Sequence, residues 1–428
     1  MTARGDFKTA ARFACKMTRP DSVRSIPHPD TQIISKRLER RPASYFVFRF
    51  HSRHLVEFIN PLIRDASMSL SVPPVTCSIS CLCGGTAQEI ALDPLVRPSL
   101  SQVCHCNSCR YTSGLLCSSY LVLNSPPILS TNLKKYTQSN NVSRWFCATC
   151  GAHVFAHAKH NNRYLVAAGL LTTPDIAQTE SVQHWGVKDT NDGGLTVFLA
   201  GSRANETGLC WLEAGKIISE ERLQQISSNR EDAGHLNSDR LHARCHCGGI
   251  EFYVTAPDVS SSKASSPWPD LLVPYHSASP DNPQDVKWWL RAGNTKYLAG
   301  TCACTSCRRA SGHPIQAWAF IPKSNIFKTN SSSLSFDLGT LQRYESSLGI
   351  FREFCNRCGA TVFWHCQERP GVIDVSVGLL RSTSGARAEE WLEWATDRVS
   401  FSEDAHNKLL IRLLETGLQA WKGKISQT

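Results

Sequence analysis

A chain of 428 residues, 41% of them apolar and 19% charged, has material for two or three packed cores, which excludes a globally disordered protein. No stretch approaches the ~18 consecutive apolar residues of a membrane helix, and the opening MTARGDFKTAARFACKM lacks a secretory apolar core. The net charge of +10 would suit a nucleic-acid partner, but residues 1–67 hold 13 basic and 6 acidic groups while the remainder holds 33 and 30, so the body of the chain is nearly neutral and argues against one.

Residues 1–72 read as a basic, disordered extension. A mitochondrial transit peptide would be poor in acids, and Asp6, Asp21, Asp30 and Glu39 count against it. The alternative is that translation starts at Met68. The segment RRPASYFVFRF mixes basic and aromatic residues as single-strand nucleic-acid binders do, but it is short and unrepeated.

Residues 73–201 form a first domain of short strands, with SSYLVLN, WFCATCGAHVFAHA and RYLVAAGLL as its β-branched and aromatic runs. Residues 202–240 are polar and read as a linker, with EERLQQISSNRED as a short helix. Residues 241–398 form a second domain with the strand-like runs IEFYVT, IQAWAFI and VIDVSVGLL. Its insertion, about residues 256–297, is rich in Ser and Pro; Trp268, Trp288 and Trp289 imply that it packs on its own domain. Residues 399–428 are predicted to be a helix capped by Ser402, with Glu403 and Asp404 in its first turn and Leu409, Leu410, Leu413, Leu414 and Trp421 as an apolar stripe.

The two domains are copies of one pattern. The first has Cys81-x-Cys83-Gly-Gly, Cys104-x-Cys106-x-x-Cys109-Arg110 and Phe146-Cys147-x-x-Cys150-Gly-Ala. The second has Cys245-x-Cys247-Gly-Gly, Cys302-x-Cys304-x-x-Cys307-Arg308 and Phe354-Cys355-x-x-Cys358-Gly-Ala. Ser113-Gly114 answers Ser311-Gly312, His157 answers His365, Gly169-Leu-Leu answers Gly378-Leu-Leu, and Trp185 and Trp394 follow those glycines by 16 residues. Fourteen of the 19 cysteines thus fall into two sets of seven. Cys15, Cys77, Cys117, Cys210 and Cys366 stand outside the repeat and read as ordinary thiols.

Without a secretory signal, clustered cysteines indicate a reducing compartment, cytoplasmic or nuclear, and metal binding or redox work rather than a disulfide scaffold. C-x-C and C-x-x-C each offer two thiolates, so Cys81, Cys83, Cys147 and Cys150 can close one tetrahedral zinc site, and Cys245, Cys247, Cys355 and Cys358 another. Each would staple the start of a domain to a distant hairpin. The middle clusters, Cys104/Cys106/Cys109 and Cys302/Cys304/Cys307, offer three thiolates each. An open zinc with three cysteines would accept the sulfur of a thiol substrate and keep it deprotonated. The plainer readings are a further structural site or a redox-labile thiol set. Shared His157 and His365 are candidates for a fourth ligand or an acid–base group, or are histidines on a strand face.

These motifs resemble the glutathione-dependent formaldehyde-activating enzyme and centromere protein V family, over about residues 75–200 and 240–398. The resemblance implies a mainly-β, tent-like fold of antiparallel sheets, shared with Rab-associated zinc chaperones and methionine sulfoxide reductase type B. It implies up to four zincs per chain, closed at the eight cysteines above and open at the six others. The activity it implies is of the carbon–sulfur lyase type, joining or splitting formaldehyde and glutathione through S-hydroxymethylglutathione. The six cysteines Cys104, Cys106, Cys109, Cys302, Cys304 and Cys307 would then be catalytic, and the partner would be a small glutathione-like thiol adduct. His105, His157, Arg110, Arg308, His313 and His365 are candidates for handling the proton at the hydroxymethyl oxygen. Tandem copies are similar to a fungal variant of the family. Packing of the two domains as an intramolecular pseudo-dimer is a separate expectation. The second copy departs in having Ala303 where the first has His105, and in its insertion. The competing class is a noncatalytic zinc-stabilised binding module of the chaperone or chromosome-associated kind. Methionine sulfoxide reduction would need a redox cysteine outside the clusters, and the repeats share none.

Overall fold

A computed structural model describes residues 74–93, 100–173, 176, 181–199, 210–213, 216–217, 239–268 and 281–425. RRPASYFVFRF, EERLQQISSNRED and Cys15 lie outside the described residues.

All six strand-like runs of the repeat contain strands, and the architecture is mainly β. In the first copy the antiparallel hairpin Val75–Ser80/Ala87–Leu92 precedes a sheet of order Ser181–Trp185, Leu100–Cys104, Ser118–Val122, Arg163–Ala167, His153–Ala158, Val142–Cys147, Leu133–Thr137. In the second, the hairpin Arg240–Arg244/Glu251–Thr255 precedes the order Leu392–Trp394, Lys296–Cys302, Gln316–Pro322, Val372–Ser376, Thr361–Cys366, Ile350–Cys355, Leu341–Ser347. The two orders correspond strand for strand. Each begins with a parallel pair and continues antiparallel. Each has a register shift just before its late C-x-x-C, at Trp145/Phe146 and at Glu353/Phe354. Such a bulge turns the strand so that the cysteine pair can face the sheet's own entry hairpin.

Four α-helices occur among the described residues: α1 Asn107–Ser113, α2 Thr196–Leu199, α3 Thr305–Ser311 and α4 Lys408–Ile425. Helices α1 and α3 were not foreseen from the sequence. Their N-caps are Cys106 and Cys304, whose sulfurs accept from the amides of Cys109 and Cys307, in place of the usual Ser, Thr, Asp or Asn. The readable signal lay at the other end, where Gly114 and Gly312 take the left-handed conformation that closes each helix.

Three further expectations are corrected. Ser402 opens a separate short turn, Ser402–Asp404, and α4 begins six residues later; Asn407 caps it by accepting from the Leu410 amide at 3.0 Å. The buried side of α4 is Leu410, Ile411, Leu414 and Leu418, and Leu409 faces outward. Trp185 and Trp394 are not equivalent by register. Trp185 pairs with Cys104 and Trp394 with Ala299, three positions short of Cys302. The segment read as linker contains the strand Cys210–Glu213, which lies parallel to Ser181–Trp185, and a short strand Lys216–Ile217 beside it.

Pro74–Thr428 cluster as one unit, and the two copies meet through reciprocal contacts. The Leu82 amide donates to the Arg309 carbonyl at 3.1 Å, and the equivalent His246 amide donates to the Tyr111 carbonyl at 2.9 Å. A Cβ on Gly114 would meet the Thr361 carbonyl oxygen at 2.1 Å, and one on Gly312 would meet that of His153 at 2.1 Å. Only glycine allows so close an approach together with a positive φ. One apolar core joins Val103, Leu116 and Phe198 of the first copy to Phe252, Phe363 and Leu410 further along the chain. Phe198 lies between Trp394, at 5.3 Å, and Trp421 of α4, at 5.1 Å. The C-terminal helix of the chain is thereby packed on the first copy.

Candidate functional site

Each copy brings its first C-x-C, at the hairpin turn, to its late C-x-x-C, at the bulged strand. Cys81 and Cys83 sulfurs stand 3.5 Å apart, as do Cys83 and Cys147. In the second copy the separations are 3.5 Å for Cys245–Cys247, 3.5 Å for Cys247–Cys355 and 3.9 Å for Cys245–Cys355. Four sulfurs ~2.3 Å from a central zinc would stand ~3.8 Å apart at the corners of a tetrahedron, so the spacing fits this metal and is far too long for the ~2.05 Å of a disulfide. Backbone amides point at the sulfurs: Gly85 to Cys83 and Thr86 to Cys81, repeated by Gly249 to Cys247 and Ile250 to Cys245, at 3.3–3.4 Å. Amide donors of this kind favour thiolate over thiol. Thr340 Oγ1 lies 3.0 Å from Cys355 Sγ, and Asn132 Nδ2 donates to Cys147 at 3.3 Å.

The three-cysteine sets also assemble. In each, the ligand atoms lie within 4.8 Å of one another, so the described residues contain four cysteine groups able to hold a metal ion. The third cysteine of each set is carried on α1 or α3. Its partner is a residue that sequence reasoning missed. Arg144, on the strand Val142–Cys147, donates from Nη2 to Cys109 Sγ at 3.0 Å, and the equivalent Arg352 holds both terminal nitrogens 3.8 and 3.9 Å from Cys307 Sγ. Both arginines stand three residues before the late C-x-x-C, in SRWFC and FREFC, a repeat match that was legible without a structure. The Cys109 thiol is held well below its ordinary value, first by the adjoining Cys104 and Cys106 sulfurs and then by Arg144 against the opposing effect of burial. Arg144 also bonds Tyr120 and Gln138, which fix its guanidinium in place.

The candidates for proton handling are dispersed. His105 is buried, with Nε2 2.9 Å from His184 Nδ1, and burial pushes it down to about 3. His313 is buried where the copies meet, with Nδ1 3.1 Å from both the amide and the carbonyl of Ser119. Arg308 donates to the carbonyls of Gly169 and Leu171 in the other copy at 2.6 and 2.8 Å, so its role here is in packing. Arg110 is buried and bonds Asn107 and Tyr111. His157 bonds Asn162 at 2.9 Å and stacks on Tyr164. His365 bonds Glu353 at 2.9 Å and stacks on Phe336 at 4.0 Å. Their partners include other side chains and backbone groups. Cys77, Cys117 and Cys366 are buried and free, and Cys210 lies in an added strand.

Matching halves, each with one four-sulfur and one three-sulfur set, define a tandem β protein whose cysteine groups could hold metal ions. The sequence matches the glutathione-dependent formaldehyde-activating enzyme family over residues 76–187 and 287–395, just over half of the chain, and the chain belongs to that family. The second match begins after Cys245 and Cys247, which the insertion separates from the rest of their copy. No curated protein matches the chain. No described helix is long and apolar enough to cross a membrane.

Proposed function

We propose that the protein is a zinc enzyme of the carbon–sulfur lyase type that acts on a small thiol adduct such as S-hydroxymethylglutathione. The observation that carries this reading is the pairing of a three-sulfur set with an arginine on its third sulfur, beside a separate and complete four-sulfur set. A purely structural module would need only the second. Cys104, Cys106 and Cys109 would hold one zinc and Cys302, Cys304 and Cys307 another, and the eight remaining cysteines of the repeat would hold two more. Zinc bound by three thiolates supplies a position that takes an incoming sulfur and stabilises it as thiolate.

In the splitting direction the carbon–sulfur bond of the adduct breaks, its electron pair stays on sulfur, the hydroxyl proton leaves and formaldehyde departs. No oxidant or reductant is required. Arg144 and Arg352 orient the third cysteine of their sets and offset the negative charge that the thiolates would build up. Each of the six His and Arg candidates is hydrogen-bonded to another group of the protein, and water would carry the hydroxyl proton.

The test is NMR of the purified protein with formaldehyde and a panel of thiols that includes glutathione. Enhanced exchange between free and adduct formaldehyde, lost in Cys106→Ser, is expected. Exchange at the uncatalysed rate, with all four metals bound, would overturn the reading in favour of a binding module.

A further inference from the structure

We propose that the two three-cysteine centres have different fates: the first admits the thiol substrate, whereas the second is sealed against it by the insertion. The substrate half of this proposal rests on the function proposed above; the sealing stands on geometry alone.

Exposure already separates the centres. Cys104, Cys106 and Cys109 are half-buried, while Cys302, Cys304 and Cys307 are 6%, 2% and 7% exposed. The register shows why. In the second copy one transverse row runs across four strands through Phe320, Asp374, Trp364 and Arg352, ending at the arginine on Cys307. The matching row of the first copy is Val122, Leu165, Ala156 and Arg144, ending at the arginine on Cys109. A tryptophan and a phenylalanine thus replace an alanine and a valine on the approach to the second centre.

The insertion adds a roof. Trp288 meets Phe320 edge to face at 5.1 Å and Trp289 at 5.4 Å, and both tryptophans share one buried cluster with all three cysteines. Trp289 is locked by its indole N–H donating to the Ser261 carbonyl at 3.1 Å. Arg369 packs against the same rings. Its guanidinium lies 5.4 Å from the ring centres of Trp288 and Trp364 and 5.9 Å from that of Phe320, and it is paired with buried Asp374. A cation desolvated among three rings and neutralised by a carboxylate is a fixed part of the packing. The Trp pair foreseen as packing on its own domain therefore packs into the same apolar cluster as that domain's three-cysteine set.

Alkylation of the native zinc protein with iodoacetamide, followed by peptide mass spectrometry, measures the sealing. The peptide bearing Cys104, Cys106 and Cys109 should react at least tenfold faster than the one bearing Cys302, Cys304 and Cys307. Trp288→Ala should narrow that gap from the slow side. Ala156→Trp, which copies the second row into the first, should narrow it from the fast side and guards against a fold lost in the Trp288 variant. Equal rates in the native protein overturn the sealing and leave the thiol-adduct reading intact. Titration of the cobalt-substituted protein with glutathione tests the other half. One equivalent of thiol per chain is expected from the visible spectrum, abolished in Cys106→Ser and rising towards two in Trp288→Ala. Two equivalents in the native protein overturn the proposal. Unequal alkylation with no thiol uptake overturns the substrate half together with the proposed function, while the sealing stands.

Discussion

Arg144 donates to the sulfur of Cys109 across 3.0 Å from a strand that ends, three residues later, in a cysteine of the other metal set. The two sets of one copy are thereby mechanically linked: the bulged strand that delivers Cys147 to the four-sulfur group also delivers a charge to the three-sulfur group.

Replacing Arg144 by Gln removes a charge-assisted hydrogen bond of about 1.5–3 kcal/mol. Metal retention by the first three-cysteine set should fall by roughly 10- to 100-fold. Arg144→Lys keeps the charge but not the fork and should fall between. Chelator competition with stepwise metal counting reads the difference. Unchanged retention in the Gln variant would leave Arg144 a packing residue only.

Cys150→Ser and Cys358→Ser each break a four-sulfur set whose metal, when bound, would contribute on the order of 10 kcal/mol to folding. From sequence, each substitution should unfold its own domain. The bonds Leu82–Arg309 and His246–Tyr111 tie each four-sulfur turn to the opposite copy, so both substitutions should lower a single, shared thermal transition. Cys106→Ser should remove one metal and shift that transition only slightly. Two separate transitions in calorimetry, or equal shifts in all three variants, would contradict this division.

Gly417 lies inside α4, where alanine would ordinarily stabilise a helix by about 1 kcal/mol. Here a Cβ would sit 1.7 Å from the Phe198 carbonyl oxygen, so the sign reverses. Gly417→Ala should destabilise the protein by about 2 kcal/mol or more through separation of α4 from α2. Urea unfolding decides it, and a stabilised variant would mean that α4 does not hold this position.

Acid should destabilise the fold from about pH 6.5 downward. His153 and His313 stack across the meeting of the copies at 6.2 Å; burial holds His313 down at about 3 and His153 well below its ordinary value. Both are neutral when folded and take up a proton when unfolded below about pH 6.5. The unfolded state binds more protons, so stability falls as the pH drops through 6.5 towards 3, by about 1.4 kcal/mol per pH unit for each imidazole. His313→Asn should flatten that slope between pH 6.5 and 5.5, with metal content followed in parallel because thiolates also protonate. An unaltered slope would show that His313 does not contribute to the acid sensitivity.

Most of the fold and of the candidate site was legible in the sequence because its information is local. Cysteine spacing within four residues identifies chelating turns, β-branched and aromatic runs identify the strands between them, and repetition pairs the clusters. Arg144 and Arg352 were equally legible as a repeat match but passed unnoticed, since nothing about an arginine in a strand announces a sulfur partner. Helices α1 and α3 were hidden because cysteine replaces the ordinary capping residue.

The sequence by itself determined that fourteen cysteines form two equal sets and that the charge of the chain resides mainly in its first 67 residues. Only the tertiary structure decided that the copies share a core, that α4 packs on the first copy, and that the two three-cysteine sets differ in burial. The physical reason is the range of the forces involved. Chelation geometry is set by a few bonds along the chain. Burial depends on which side chains from distant strands reach the same volume, and Trp288, Trp364 and Phe320 join the apolar cluster that contains Cys307 from segments that spacing alone does not bring together.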